Sequence, residues 1–223
     1  MDWTPILLTL KLATVTTALL FLIALPLAYY LARTNAKTRP LLEALVAMPL
    51  VLPPTVLGFY LLLTFSPNTA VGAWLNNTIG LKLAFSFPGL VIGSIIYSLP
   101  FMVHPIQAGL SSLPNSLLEA SDLMGKSKWE TLWRIELPNI RPALLAGVVL
   151  SFAHTIGEFG VVLMIGGGIP GETRVASIAV YEEVEALNYA AAGQYSAVLF
   201  ALCFTILLAV YATNARYLKR SVV

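Results

Sequence analysis

Apolar positions gather into five long runs along the chain, over residues 7–31, 44–65, 85–110, 143–165 and 196–213. Crossing a bilayer as a helix takes about 20 mostly apolar residues, so each run is long enough or nearly so. The first carries Lys11 near its start and is uncharged from Leu12 onward. Between the runs lie a basic turn with Arg33, Lys37 and Arg39, a polar connection over 66–82, and a long polar interlude over 114–142. A Gly/Pro turn over 166–171 then opens a charged stretch to Leu187, and Arg216, Lys219 and Arg220 close the chain. The pattern predicts an all-α membrane protein of about five transmembrane helices, forming one domain over residues 1–223.

Basic residues orient these spans. With five of them, the segments 33–39, 114–142 and the tail share one side and hold ten Lys/Arg, while Lys11, Lys82 and Arg174 fall on the other. The positive-inside rule then puts the N-terminus outside, the C-terminus inside and the 114–142 loop in the cytoplasm. Composition agrees with the membrane reading. The chain is 58% hydrophobic and 11% charged, where soluble domains carry roughly a quarter charged residues. A net charge of +2 gives no reason to invoke nucleic acid. A single cysteine, Cys203, rules out an intrachain disulfide and leaves a zinc site without a cysteine partner. Asp2 precedes the first run and no basic leader stands before it, so that run is expected to stay as a span rather than be cleaved.

Two of the runs are interrupted in chemically different ways. The second holds Pro49, Pro53 and Pro54, and each removes a backbone hydrogen bond that lipid cannot replace. Two readings are open for Pro53, Pro54 and Thr55: a kinked segment lining a pathway, or a break near the cytoplasmic interface. The third run carries prolines too, at 88, 100 and 105, with His104 read as lying near a span end. In the fourth run, Glu158 is the acid placed well inside a predicted span, flanked by Gly157 and Gly160. Intramembrane acids are costly and face protein or an aqueous cavity. His154 lies four residues earlier on the same helix face, so the pair can share a hydrogen bond. A structural or gating role at a helix break is preferred over direct contact with a substrate.

The interlude PNSLLEASDLMGKSKWETLWRIELPNIRP reads as helix, turn, helix. Gly125 supplies a left-handed residue to end the first helix. Ser127, with Glu130 three residues on, makes a capping box for the second. Trp129, Leu132 and Trp133 give that second helix an apolar face, and Pro138 is expected to stop it. Small Ala120 and Ser121 allow close approach of another backbone. The plainer reading is a solvated loop tied down by Trp129 and Trp133. Gly125-Lys126-Ser127 imitates the end of a phosphate-binding loop, but Ala120 stands where that pattern needs glycine, and no strand precedes it. The chain is not expected to bind ATP. Nor does it hold a His-Glu-x-x-His motif or a nucleophile–base pair, so an intramembrane enzyme is set aside and neither cofactor nor metal is expected.

Glu119-Ala120-Ser121, then Gly125, then Ile135-Glu136-Leu137-Pro138 resembles the cytoplasmic "EAA" loop of ABC-importer permeases, with Ser121 in place of the second alanine. Met48-Pro49-Leu50-Val51-Leu52-Pro53-Pro54-Thr55-Val56-Leu57-Gly58 is similar to the second-span signature of the molybdate-importer permeases. Gly157-Glu158-Phe159-Gly160 resembles a segment of the molybdate and sulfate groups, and Ile169-Pro170-Gly171-Glu172-Thr173-Arg174 the loop that follows in the molybdate group. The resemblance runs from the first span to the last, and the chain's length fits the compact molybdate type. It implies a permease of the prokaryotic cytoplasmic (inner) membrane, working as a homodimer with two cytoplasmic ATP-binding subunits and an external molybdate-binding protein. Glu119, Ala120, Ser121, Gly125, Ile135, Leu137 and Pro138 would then form the interface with the ATPase. Tungstate or sulfate is the alternative cargo. An ATP-independent transporter relaying protons through Glu158 and His154 is the alternative class. Residues 173–187, with Glu182, Glu183 and Glu185 and an apolar stripe of Val175, Ile178, Val184 and Leu187, are read as a short external or re-entrant helix meeting the binding protein, or as a solvated surface helix.

Overall fold

The computed structural model describes residues 1–220, and among them every regular element is helical. In chain order these are α1 (Thr4–Arg33), α2 (Arg39–Val51), α3 (Pro54–Phe65), α4 (Ala70–Trp74), α5 (Phe87–Ser111) and α6 (Asn115–Leu123). They continue as α7 (Lys128–Thr131), α8 (Leu137–Asn139), α9 (Arg141–Gly157), α10 (Gly160–Gly166), α11 (Ala176–Glu185) and α12 (Tyr189–Arg220). Two wide π turns, Leu75–Ile79 and Leu132–Glu136, extend α4 and join α7 to α8. Three helices, α1, α5 and the 189–209 part of α12, are long and apolar enough to cross a membrane singly, and up to five spans result if each bent pair counts as one. The side chains of Arg216, Lys219 and Arg220 lie outside the described residues.

At the centre, α1, α5 and α9 pack on one another. The buried stripe of α1 runs Thr9, Leu12, Ala13, Thr16, Thr17, Leu20, Ala24, Ala28, Leu31, in steps of one, three and four residues. Its small members let neighbouring backbones come close, which is how helices associate where lipid offers no hydrophobic driving force. Gly147 of α9 does the same from the other side: a Cβ there would lie 3.1 Å from the Met102 carbonyl oxygen of α5. One end of the bundle is filled by Leu31, Ile106 and Leu110 together with Leu132, Leu137 and Ile140. The other is filled by Leu12, Leu90, Val162, Ile165 and Ile178. The polar interlude is therefore fixed to the end of the bundle where α1 finishes.

Several predicted boundaries change, among them the start of the fifth span, which lies in a helix that begins at Tyr189. The second predicted span is two helices, α2 of 13 residues and α3 of 12, bent by 112° at Leu52 and Pro53. Each is about 20 Å long and neither spans alone. The fourth predicted span is divided at Glu158 and Phe159 into α9 and α10. The second loop helix ends at Asn139, one residue past Pro138, and the chain turns at Ile140 with a 76° bend into α9. In α11, Val175 and Ile178 are buried as the stripe requires, but Val184 and Leu187 are exposed. Arg174 pairs with Glu182 and Glu183 across that helix's outer side.

Candidate functional site

In the 114–142 interlude, α6 ends in a Schellman turn: Gly125 has φ 71°, its N–H donates to Asp122 O at 2.9 Å, and Lys126 N–H to Ser121 O at 3.2 Å. Ser127 caps α7, accepting from Glu130 N at 3.2 Å. The reciprocal half of the capping box is replaced, since the Glu130 carboxylate takes Lys126 Nζ at 2.9 Å and Arg134 Nη1 at 3.1 Å. The Lys126 hydrogen bond holds this exposed carboxyl below its usual range. The loop is thus ordered by its own local chemistry.

Its two faces differ. Glu119, Ala120, Gly125 and, with greater area, Leu123, Met124, Trp129 and Trp133 point outward. Leu123 is 90% exposed and Trp129 69%. Trp129 and Trp133 pack edge to face on each other, centroids 5.5 Å apart, and do not tie the loop to the body as the solvated-loop reading supposed. Inward lie Ser121, Leu132, Glu136, Leu137 and Ile140, with Ile135 and Pro138 half-buried. Ser121 is more than a small residue: its hydroxyl meets Thr131 Oγ1 at 2.7 Å and joins α6 to α7. Glu136, 2% exposed, accepts from Arg33 Nη2 at 2.8 Å, linking the loop to the last residue of α1. Neither contact was legible from spacing.

The two helix breaks meet. Gly160 sits on the first turn of α3, where a Cβ would lie 2.6 Å from Pro54 Cβ and 3.1 Å from Thr55 N. Beside this junction a cavity of about 460 Å³ is lined by Pro54 and Thr55, Tyr97 of α5, and His154, Gly157, Glu158 and Gly160. Pro53 is the residue just before α3, at the bend itself. The expected His154–Glu158 hydrogen bond is not formed. His154 Nδ1 instead meets Ser98 Oγ at 3.0 Å, and its ring stacks on Phe101 at 4.1 Å. Aromatic packing on α5 turns the imidazole away. Both Glu158 oxygens and the Ser94 hydroxyl are buried without a hydrogen bond of ordinary geometry, and the two side chains lie beside each other. The Glu158 main-chain carbonyl accepts from Ser177 Oγ at 2.6 Å, anchoring the break to α11. His104 lies inside α5, not at its end, beside Glu43 and Gln107 in a cleft of about 600 Å³. Among the described residues no group of His, Cys, Asp and Glu is arranged to hold a metal ion.

Comparison with known proteins identifies the family and the fold. Residues 24–223 match the family described as "Binding-protein-dependent transport system inner membrane component". The molybdenum transport system permease protein ModB of Azotobacter vinelandii is 43% identical over 214 residues, covering 96% of this chain and 94% of that protein. The sulfate transport system permease protein CysT of Escherichia coli (strain K12) is 33% identical over 196 residues, covering 88% and 70%. In fold, a subunit of the inward-facing MetNI methionine ABC transporter superposes with TM-score 0.74 at 19% identity over 94% of this chain and 92% of its own. A chain of a bacterial ABC transporter for the acidic polysaccharide alginate gives 0.80, also at 19% identity, over 96% and 78%. By sequence over nearly its whole length and by fold, the chain belongs to the binding-protein-dependent inner-membrane components, the permease subunits of ABC importers.

Proposed function

We propose that this permease carries molybdate, as a homodimer served by two cytoplasmic ATPase subunits and an external binding protein. The observation that carries the coupling part is the outward face of the 114–142 loop. In a segment otherwise polar, Leu123, Met124, Trp129 and Trp133 are left uncovered beside Glu119 and Ala120. An exposed apolar patch rimmed by charge is what a docking surface requires. The excess of basic residues on this side supports a cytoplasmic loop and an external N-terminus. Similarity supports the cargo: the molybdenum permease is matched almost end to end at 43% identity, the sulfate permease at 33%.

ATP binding closes the ATPase pair, draws the two loops together and favours the outward-open packing, and hydrolysis restores the inward-open one. This is a population shift driven by differential binding of the nucleotide states. The gate is the junction of the α2–α3 and α9–α10 breaks, at Pro53, Pro54, Thr55, Gly157, Glu158 and Gly160. Broken helices at membrane depth occur where protein or a water-filled path satisfies the backbone. Glu158 holds the break and does not ligate the cargo, since a carboxylate repels an oxyanion. Residues 173–187, on the outer side in this topology, face the binding protein.

The experiment is uptake into vesicles holding the permease, its ATPase and its binding protein, comparing wild type with Glu119→Arg and Gly125→Pro, with tungstate and sulfate as competitors. Uptake that needs ATP and fails in both variants supports the reading. Uptake without ATP would favour a proton relay through Glu158 and His154, and preferential competition by sulfate would reassign the cargo.

A further inference from the structure

The inner face of the loop poses a question that docking does not answer: how movement of 114–142 reaches the bundle. Most contacts there are apolar, Leu132, Leu137 and Ile140 against Leu31, Ile106 and Leu110, and such packing can slide. One contact is directional. Arg33, the last residue of α1, donates Nη2 to Glu136 Oε2 at 2.8 Å, across 103 residues of sequence. The Glu136 side chain is 3% exposed and the Arg33 side chain 25%. Arg33 Nε is buried and has no partner, so the guanidinium is held to the loop through one hydrogen bond. Asp122 of α6 and Lys128 of α7 line the same cleft of about 160 Å³ as Arg33, Glu136 and Tyr29. A shift of the two loop helices therefore has a second carboxylate to offer Arg33 and a second cation to offer Glu136.

We propose that the Arg33–Glu136 ion pair is the joint through which the loop drives α1. A pair with one partner buried and the other three-quarters covered is a poor source of stability, because desolvation offsets its attraction, and its best-attested use is to set register or to switch. The cation also sits at the C-terminal end of α1, where the helix dipole favours it and resists its withdrawal. Pulling the loop thus pulls the end of α1, and α1 lies against both α5 and α9. Arg33 and Glu136 are positioning residues here. The inference rests on the coupling role of the loop proposed above.

The test replaces the pair as a whole, Arg33→Met with Glu136→Leu, in the assembled transporter. Apolar replacement of a buried ion pair is commonly neutral or stabilising, so the double variant is expected in the membrane at the wild-type amount, bound to its ATPase and hydrolysing ATP. The quantity to read is cargo delivered per ATP hydrolysed, which is expected to fall about tenfold, within the usual range for coupled sites. Glu136→Gln alone is expected to uncouple as well. Wild-type delivery per ATP by the double variant would overturn the proposal, and so would its loss from the membrane, since the pair would then serve folding. Glu119→Arg is measured alongside: if it leaves delivery per ATP unchanged, the coupling role of the loop fails first, independently of the joint.

Discussion

The breaks at Leu52–Pro53 and at Glu158–Phe159 interrupt predicted spans at one junction, yet they are built from opposite materials. The first is made by proline. Pro53 and Pro54 lack N–H groups, Pro53 is extended with ψ 134°, and the chain turns 112° between α2 and α3. The second has no proline. Gly157 and Gly160 flank a buried acid, and the break is held by Ser177 on the Glu158 carbonyl. Two consecutive residues without N–H groups withdraw two helical hydrogen bonds at one place, whatever packs around them. A glycine break is permitted by the chain and made by its neighbours. The α2–α3 bend is thus set largely within its own segment, and the α9–α10 break is held by the elements packed against it.

The largest expected effect comes from the two glycines, which are not equivalent. A Cβ at Gly160 would meet Pro54 at 2.6 Å, whereas at Gly157 nothing lies within 4 Å. Gly160→Ala is expected to cost about 1–3 kcal/mol through overpacking, and Gly157→Ala to stay within about 0.5 kcal/mol. Thermal unfolding of the purified permease measures both, and equal effects would mean the junction is not tight at Gly160. Next comes Glu158→Gln, which replaces a buried carboxyl that has no well-formed hydrogen bond by an amide of the same shape. Stability is expected to hold or rise by about 1 kcal/mol, with ATP-driven uptake retained. Collapse of uptake with stability intact would make Glu158 a proton carrier and not a structural group. Pro53→Ala is expected to cost roughly 0.4–1 kcal/mol, through added freedom of the unfolded chain. A larger loss would show that the bend is strained and needs its proline.

The smallest effect belongs to the loop and is read by pH. The folded carboxyl of Glu130 titrates below its ordinary value of 4.5, held there first by the Lys126 hydrogen bond. Its contribution is therefore fully present above 4.5 and is lost as pH falls through the lowered folded value. Solvent screens this exposed group, so the difference between wild type and Glu130→Gln on acidification is expected to be slight. A difference that grows above pH 5 would contradict the assignment.

Much of this was legible in the sequence. The apolar runs located the long helices, Gly125 and Ser127 marked the turn and cap of the loop, and the Gly-Glu-Phe-Gly segment marked the second break. What spacing could not supply were contacts decided by tertiary packing. Glu136 reads as one more acid in a polar segment until the π turn at Leu132–Glu136 rotates it inward onto Arg33. Ser121 reads as a tolerated stand-in for alanine until α7 folds back and brings Thr131 within 2.7 Å. Trp129 and Trp133 sit at positions that suit a buried face, and they are exposed because Leu132, Leu137 and Ile140 already fill the end of the bundle. The prolines announced an interruption near residue 53 but not its angle, which depends on what α3 packs against.

If the loop transmits the ATPase's movement, the separation between its two copies changes during the ATP cycle. Met124 is 72% exposed at the loop's outer tip. A spin label at Met124→Cys, in a Cys203→Ala background, reports the distance between the two permeases of the assembled transporter by pulsed electron resonance. The expected result is a long separation without nucleotide and a distinctly shorter one when the ATPase is trapped with ATP. A separation that stays the same in both states would contradict it.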